Sequence, residues 1–298
     1  MRCGFVALIG RPNVGKSTLL NRLVGTKLAI VSDKPQTTRT RITGVRNYDD
    51  GQAIFLDTPG IHRPTHRMNV RMVDAAVEGI RQADILALVT DATDARAGGG
   101  ERFILEQVRQ ATAPVALVIN KVDLVARPAL LPLIDTWRQR HPFTDIVPVS
   151  ALTGENVDRL ERVILEHLPV GDPIYPTDYL TDQPERFFVS ETVREKVLGL
   201  THAEIPFSSA VVVDRFEEAN EHGLMRFYCS ILVERESQKP ILIGRGGEMI
   251  KRIGTAARHD LEAFFDARVY LDLLVKVKSE WREDDRLLDE LGMPRRQR

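Results

Sequence analysis

Cysteine is nearly absent. The 298 residues contain two, Cys3 and Cys229. They are far apart and fit no CxxC or Cys/His spacing, which excludes a disulfide scaffold and a zinc module and points to a reducing compartment. No apolar run approaches the roughly 18 residues that a membrane-spanning helix needs. The N-terminal run Phe5–Ile9 is short and leads into Gly10-Arg11-Pro12, a buried strand entering a loop rather than a secretory signal. A cytoplasmic, soluble chain is expected, at most peripheral to a membrane. Charge of one sign is also lacking. The net charge is −1, so bulk electrostatics announces no nucleic-acid partner. With 6% aromatics, 20 Gly and 16 Pro, the composition is that of a globular protein, away from the disordered, collagen-like and coiled-coil extremes.

What is present is uneven along the chain. Residues 1–170 carry 22 Lys/Arg against 18 Asp/Glu, and residues 171–298 carry 19 against 24. An RNA site in the second half must therefore be a local patch. Short β-rich runs at 5–9, 42–48, 53–56, 85–90, 115–119 and 146–149 alternate with helical patterns such as 16–23 and 157–168. That alternation predicts an α/β domain over residues 1–168, with a mostly parallel sheet and helices on both faces. Three prolines within residues 169–176 predict a stiff, extended connector, here placed at 169–184. A helix through 186–200 and strands at 209–216 and 226–233 follow. After a glycine-rich turn, Ile250, Ile253, Ala257, Leu261 and Phe264 share one helical face. Alternation from Val269 to Val277 predicts a last half-buried strand. Residues 185–280 thus form a second, α+β domain, and residues 281–298 are expected to be a loosely ordered charged tail.

Four motifs sit at strand ends in the first domain. Gly10-Arg11-Pro12-Asn13-Val14-Gly15-Lys16-Ser17, followed by Thr18, fits the phosphate-binding loop between a strand and a helix. Its backbone N–H groups would face phosphate oxygens at a helix N-terminus. Lys16 would reach the β- and γ-phosphates, and the Ser17 hydroxyl would bind Mg²⁺. Asp57-Thr58-Pro59-Gly60 places at Asp57 a carboxylate that can hold Mg²⁺ through water, and a γ-phosphate N–H donor at Gly60. Asn120-Lys121-Val122-Asp123 carries base specificity. The Asp123 carboxylate can accept from N1–H and the 2-amino group of guanine, and adenine offers neither donor. Ser150-Ala151-Leu152 fits the small loop behind the guanine O6. Together the four imply GTP/GDP rather than ATP.

Residues 4–168 resemble translation-factor-type GTPases, and the stretch from Gly10 to Asn21 is similar to the Era/TrmE/Der branch. Gln36-Thr37-Thr38-Arg39 looks like that branch's first switch. The resemblance implies that Thr38 completes Mg²⁺ coordination in the GTP state, with Thr37 as the alternative. Ile61 stands where Ras-like proteins carry the water-positioning glutamine, so hydrolysis is expected to be slow without activation. Lys16, Thr38 and Asn13 are the catalytic candidates. Relatives in the branch use an asparagine at the place of Asn13 to hold K⁺. No arginine finger is singled out among Arg39, Arg63 and Arg67, and His62 and His66 read as switch-loop residues rather than a metal pair.

Gly244-Arg245-Gly246-Gly247 resembles the GxxG core of a KH domain, where glycines let a loop clamp single-stranded backbone. Lys239, Arg245, Lys251, Arg252 and Arg258 surround it, with Glu248 the lone acid between 239 and 258. The order of elements fits a type II KH domain. With Arg194-Glu195-Lys196 and the run from Val275 to Trp281, the resemblance to Era-type GTPases spans the chain. It implies a GTP-driven switch that binds single-stranded rRNA through the KH domain, with the 3′ end of small-subunit rRNA as its target, and acts in assembly of the small ribosomal subunit, most simply as a monomer. The alternative is a GTPase at a membrane surface whose second domain docks lipid or protein.

Overall fold

Strands that read as unbroken apolar runs have to be covered on both sides, and the first sheet meets that demand. In the computed structural model, residues 1–34, 36–61, 66–94, 99–202, 204–219, 221, 223–293 and 295 are described. The first unit runs β1 (Arg2–Ile9), α1 (Lys16–Val24), β2 (Ile42–Tyr48), β3 (Gly51–Asp57), α2 (Arg67–Gln82), β4 (Ile85–Asp91), α3 (Gly99–Val108), β5 (Val115–Asn120), α4 (Leu130–Arg138), β6 (Asp145–Pro148) and α5 (Val157–His167). The sheet order is β2-β3-β1-β4-β5-β6. Only β2 is antiparallel. On β1, Val6 and Leu8 join α1 and α5 in one core, while Ala7 and Ile9 join α2, α3 and α4 in the other. Parallel register brings Leu8 beside Asp57 and Asp91 beside Asn120. Strand ends carrying motif residues thereby line one crest of the sheet, where α/β folds bind ligands.

The second unit runs α6 (Glu185–Leu200), α7 (Ile205–Ser208), β7 (Ala210–Glu217), β8 (Leu224–Val233), α8 (Lys239–Ile243), α9 (Glu248–Phe265), β9 (Arg268–Val277) and α10 (Asp285–Glu290). β7 and β8 are antiparallel, and β8 and β9 are parallel. One face of this sheet packs on α6 and α9 through Val193, Val197, Phe227, Ile253 and Leu261. Among the described residues, no helix is long and apolar enough to cross a membrane.

Two expectations change. The proline-rich connector is extended, but it is also fastened to the first sheet. Gln52, fully buried, accepts from the Ile174 and Tyr175 N–H groups at 2.8 and 2.9 Å. Val45 N–H donates to Leu180 O at 2.8 Å. Tyr175 and Tyr179 stack, ring centroids 4.6 Å apart, over Val45, Ile54 and Leu56. Over its described residues 281–293, the tail is not loose. Trp281 is fully buried, and with Leu287, Leu288 and Met293 it wedges between Met68 and Met72 of α2 and Ala210, Val212 and Leu232 of the second sheet. Arg71 on α2 donates to Asp285 Oδ1 at 2.7 Å, to Asp289 Oδ1 at 2.5 Å and to the Met293 carbonyl.

Candidate functional site

The loop after β1 turns back on itself through left-handed residues, Asn13 at φ 65° and Gly15 at φ 94°. At Gly15 a side chain has no room, because a Cβ would lie 2.2 Å from Asn120 Nδ2. Asn120 in turn ties three loops together. Its Nδ2 donates to Val14 O at 2.8 Å, and its Oδ1 accepts from Ala151 N–H at 2.9 Å. Ser150 is fully buried and caps its own loop, its hydroxyl accepting from Thr153 N–H at 3.1 Å. Leu152 is exposed, and its carbonyl accepts from Arg22 at 2.5 Å.

Pro12, Asn13, Gly15, Lys16, Ser17 and Thr18 line an open cavity of about 410 Å³. Thr37, Thr38, Gly60 and Lys121 also border it. Lys16 is buried, its Nζ donating to Gly10 O at 3.3 Å and Arg11 O at 3.0 Å. Burial lowers its pKa, opposed by Asp57. Ser17 Oγ donates to Asp57 Oδ2 at 2.7 Å and lies 2.8 Å from Thr38 Oγ1, which itself donates to Asp57 Oδ2 at 3.2 Å. Thr37 turns the other way, its hydroxyl donating to Lys34 O at 2.6 Å. Of the two threonines, Thr38 alone is in the oxygen cluster.

That cluster suits a hard cation. It offers two hydroxyls and a carboxylate, and oxygen ligands are what Mg²⁺ takes. Asp57 Oδ1 is buried without a hydrogen-bond partner. Burial raises the Asp57 pKa, with Lys16, Ser17 and Thr38 pulling against it. A buried carboxylate left short of compensation is the arrangement that a bound cation completes.

Of the other motif residues, all but Lys121 lie apart from the cavity. Arg11 points to ion pairs with Asp94 at 2.7 Å and Glu101 at 2.8 Å. Val14 is in the core, and the Thr58 hydroxyl donates to Leu8 O at 2.9 Å. Pro59 is buried beside it. Ile61 is 1% exposed and packs with Ile9 and Ile80, so it presents no side chain to the cavity. Lys121, left-handed at φ 66°, pairs with Asp91 at 2.5 Å. Val122 and Asp123 border a separate depression of about 680 Å³ with Asn156 and Asp158. Asp123 is exposed. His62 and Arg63 fall outside the described residues. Sequence reasoning missed Ile30, Val31, Ser32 and Asp33, which also wall the cavity. Asn13 Nδ2 donates to Asp33 O at 2.6 Å. This wall has no motif of its own.

Arg39 lies in the switch loop before β2, but its side chain is buried against the second unit rather than solvated. It is 5% exposed and donates to Ser209 O at 2.8 Å and Pro206 O at 3.4 Å of the second unit, 5.6 Å above the Trp281 ring. Burial lowers its pKa to about 9, with nearby Arg194 adding to the shift. Arg67 reaches Asp285 at 3.0 Å.

In the second unit, Gly244 is at φ 74°, where a Cβ would come 2.7 Å from Met249 N. Gly246 and Gly247 are also left-handed and face open space. Lys251, Arg252 and Arg258 are exposed along α9, Arg245 is exposed in the turn, and Lys239 is half-buried. Cations therefore flank a turn whose backbone is bare.

Comparison with known proteins follows the same division. Residues 5–121 match the family of 50S ribosome-binding GTPases, and residues 204–282 match the KH domain. The chain is 52% identical over 291 residues to the GTPase Era of Geotalea uraniireducens, covering 98% of this chain and 97% of that protein. It is 49% identical over 291 residues to the GTPase Era of Geobacter metallireducens, with 98% and 97% covered. Among solved structures, a variant of Aquifex aeolicus Era bound to GDP·AlF4⁻ superposes with a TM-score of 0.95 at 41% identity, covering 99% of this chain and all of that one. Era in complex with MgGDPNP and nucleotides 1506–1542 of 16S ribosomal RNA gives the same TM-score, identity and coverage.

Proposed function

The chain belongs to the Era family of GTPases, and from that premise we propose that it is a nucleotide-gated switch on the 3′ end of small-subunit rRNA, acting in assembly of that subunit. It hydrolyses GTP to GDP and phosphate. The observation that carries the assignment of residues is the meeting of Ser17, Thr38 and Asp57 beside Lys16. Lys16 leaves the carbonyls of Gly10 and Arg11 to neutralise β- and γ-phosphate charge, and the loop N–H groups hold the phosphate oxygens. Ser17, Thr38 and Asp57 hold Mg²⁺, which offsets charge developing on the phosphates. Asp123, exposed and without a hydrogen-bond or ion-pair partner among the described residues, takes the guanine edge, and Asn120 fixes the loops that surround the base. Ile61 supplies no group to orient water, so the intrinsic rate is slow. The Asn13 side-chain oxygen is offered to K⁺, and comparison of hydrolysis in potassium and sodium salts checks that role.

RNA lies along Gly244–Gly247 and α9, where the missing Cβ atoms admit close backbone approach and Arg245, Lys251, Arg252 and Arg258 meet phosphates. A relative of 41% identity crystallised with 16S rRNA supports this reading. A reducing, cytoplasmic setting suits the two free, buried cysteines. The test is binding of a labelled rRNA 3′-end oligonucleotide to wild type and to Arg245→Asp/Gly246→Asp, each with GDP and with a non-hydrolysable GTP analogue. Tighter binding with the analogue, lost in the double variant, is expected. Binding that survives in the double variant refutes the RNA site. Binding indifferent to nucleotide refutes the gating.

A further inference from the structure

Three consecutive residues of the first switch have three different partners. The Thr37 carbonyl accepts from Arg194 Nη2 on α6. The Thr38 hydroxyl sits on Ser17 and Asp57. The Arg39 guanidinium enters the socket formed by Ser209 O, Pro206 O and the Trp281 ring. The exposures of Thr37, Thr38 and Arg39 are 9%, 8% and 5%, and Arg194 is at 2%. An extended chain advances only about 3.5 Å per residue, so Thr38 cannot move independently of neighbours that are both anchored in the second unit.

The same helix also holds the beginning of the switch. Glu195, next to Arg194, accepts from Val31 N–H at 3.1 Å and pairs with Lys27 at 2.7 Å. Val31 walls the nucleotide cavity. The switch is therefore held at Val31 and at Thr37 by adjacent residues of α6. Arg194 is itself held by Glu191, Nε to Oε1 at 2.7 Å and Nη2 to Oε2 at 2.5 Å. Arg39 Nε and Arg194 Nη1 are buried without partners. Two buried cations with one close carboxylate are costly. They are kept in place by the contacts that closing the segment provides, and they would be relieved by its release.

We infer that Arg194 and Glu195 of the second unit are positioning residues for GTP hydrolysis, holding segment 31–39 so that the Thr38 hydroxyl meets Ser17 and Asp57. The second unit then forms part of the support of the hydrolytic centre as well as its output. Coupling is reciprocal for binding, so a nucleotide that needs Thr38 in place tightens the α6 contact, and GDP does not. The inference rests on Ser17, Thr38 and Asp57 being the Mg²⁺ site.

The test uses the full chain as wild type, Thr38→Ala, Arg194→Ala and Arg194→Lys, with Glu191→Gln as a milder way of loosening Arg194. Affinities for a fluorescent non-hydrolysable GTP analogue and for GDP are measured across a Mg²⁺ titration, with single-turnover hydrolysis alongside. Arg194→Ala is expected to weaken the analogue and slow hydrolysis at saturating GTP, each by about tenfold. It should raise the Mg²⁺ requirement and leave GDP affinity unchanged. Arg194→Lys, which keeps a donor for Thr37 O, recovers part of the loss, and Glu191→Gln shifts the analogue in the same direction as Arg194→Ala. Equal effects on analogue and GDP, or a lower melting temperature with neither affinity altered, overturn the inference and leave Arg194 a structural brace. If Thr38→Ala raises the Mg²⁺ requirement of analogue binding and the Arg194 variants do not alter it, only this inference fails. If the Mg²⁺ requirement of Thr38→Ala equals that of wild type, the magnesium-site reading falls and takes the inference with it.

Discussion

Asn120 has a single amide and uses both ends of it. One end holds the phosphate loop through Val14 O, and the other holds the Ala151 N–H. The side chain fits only because residue 15 lacks a Cβ. Gly15→Ala adds a clash with Asn120 Nδ2 to a positive φ, so nucleotide binding should be lost and unfolding free energy should drop by about 1–3 kcal/mol. Calorimetric titration with GDP and denaturant unfolding check the two effects. Asp123 makes the opposite kind of contribution, since it is exposed and its proposed partner is the guanine edge. Asp123→Asn should weaken GTP roughly a hundredfold or more, because two charge-assisted hydrogen bonds go, while affinity for xanthosine nucleotides rises. Unchanged GTP affinity would refute the guanine assignment. These residues were legible in the sequence because the chemistry is local: each motif stands at a strand end and spans a few positions. Arg39 was not, because nothing near it in the chain announces the carbonyls of Pro206 and Ser209.

At the scale of elements, strands and helices read from the sequence fall close to where they form, since periodicity reports which faces are buried. β1 begins earlier than its apolar run because Arg2 and Cys3 pair with Gly51 and Gln52, a register that hydrophobicity does not reveal. The tail deceived for a related reason. Its apolar residues Leu287, Leu288 and Met293 are scattered among charges, and the surfaces they cover belong to α2 and the second sheet. Trp281→Ala removes a fully buried indole and its 2.9 Å hydrogen bond to Ser208 O. The expected cost is about 3–5 kcal/mol, read by chemical unfolding. The docking of α10 should also depend on acidity. The hydrogen bond from Arg71 holds the Asp285 carboxyl below its ordinary range, with Arg295 and Arg67 adding to it. A depressed native pKa stabilises above the unfolded value and is lost as pH falls through the native one. Docking should therefore weaken below about pH 4 and hold from there to neutrality, which Trp281 emission can follow.

For the whole molecule, the question is what carries a change at the nucleotide to the RNA face. A stiff proline connector between two domains suggests transmission along the chain. The contacts argue otherwise. The connector is bound along the edge of the first sheet by Gln52, Val45 and the stacked tyrosines, so it moves with the first unit and has nothing to transmit. Direct contacts cross between the units at Arg194 and Arg39 on the first switch and at Arg71 and the tail on α2. Lys27 adds a third crossing, reaching Asp260 on α9 at 3.2 Å, the helix that follows the glycine turn. Lengthening the connector separates these routes. Gly171 has open space where a Cβ would be, so four Gly/Ser residues can be inserted after it. Doubling a loop costs only about 0.6 kcal/mol in closure entropy, which the crossing contacts outweigh. The insertion should leave the difference in RNA affinity between the GTP analogue and GDP intact, and Arg39→Ala combined with Arg71→Ala should erase it in an uninterrupted chain. The reverse pattern, with the insertion erasing the difference and the double variant keeping it, would return the coupling to the connector.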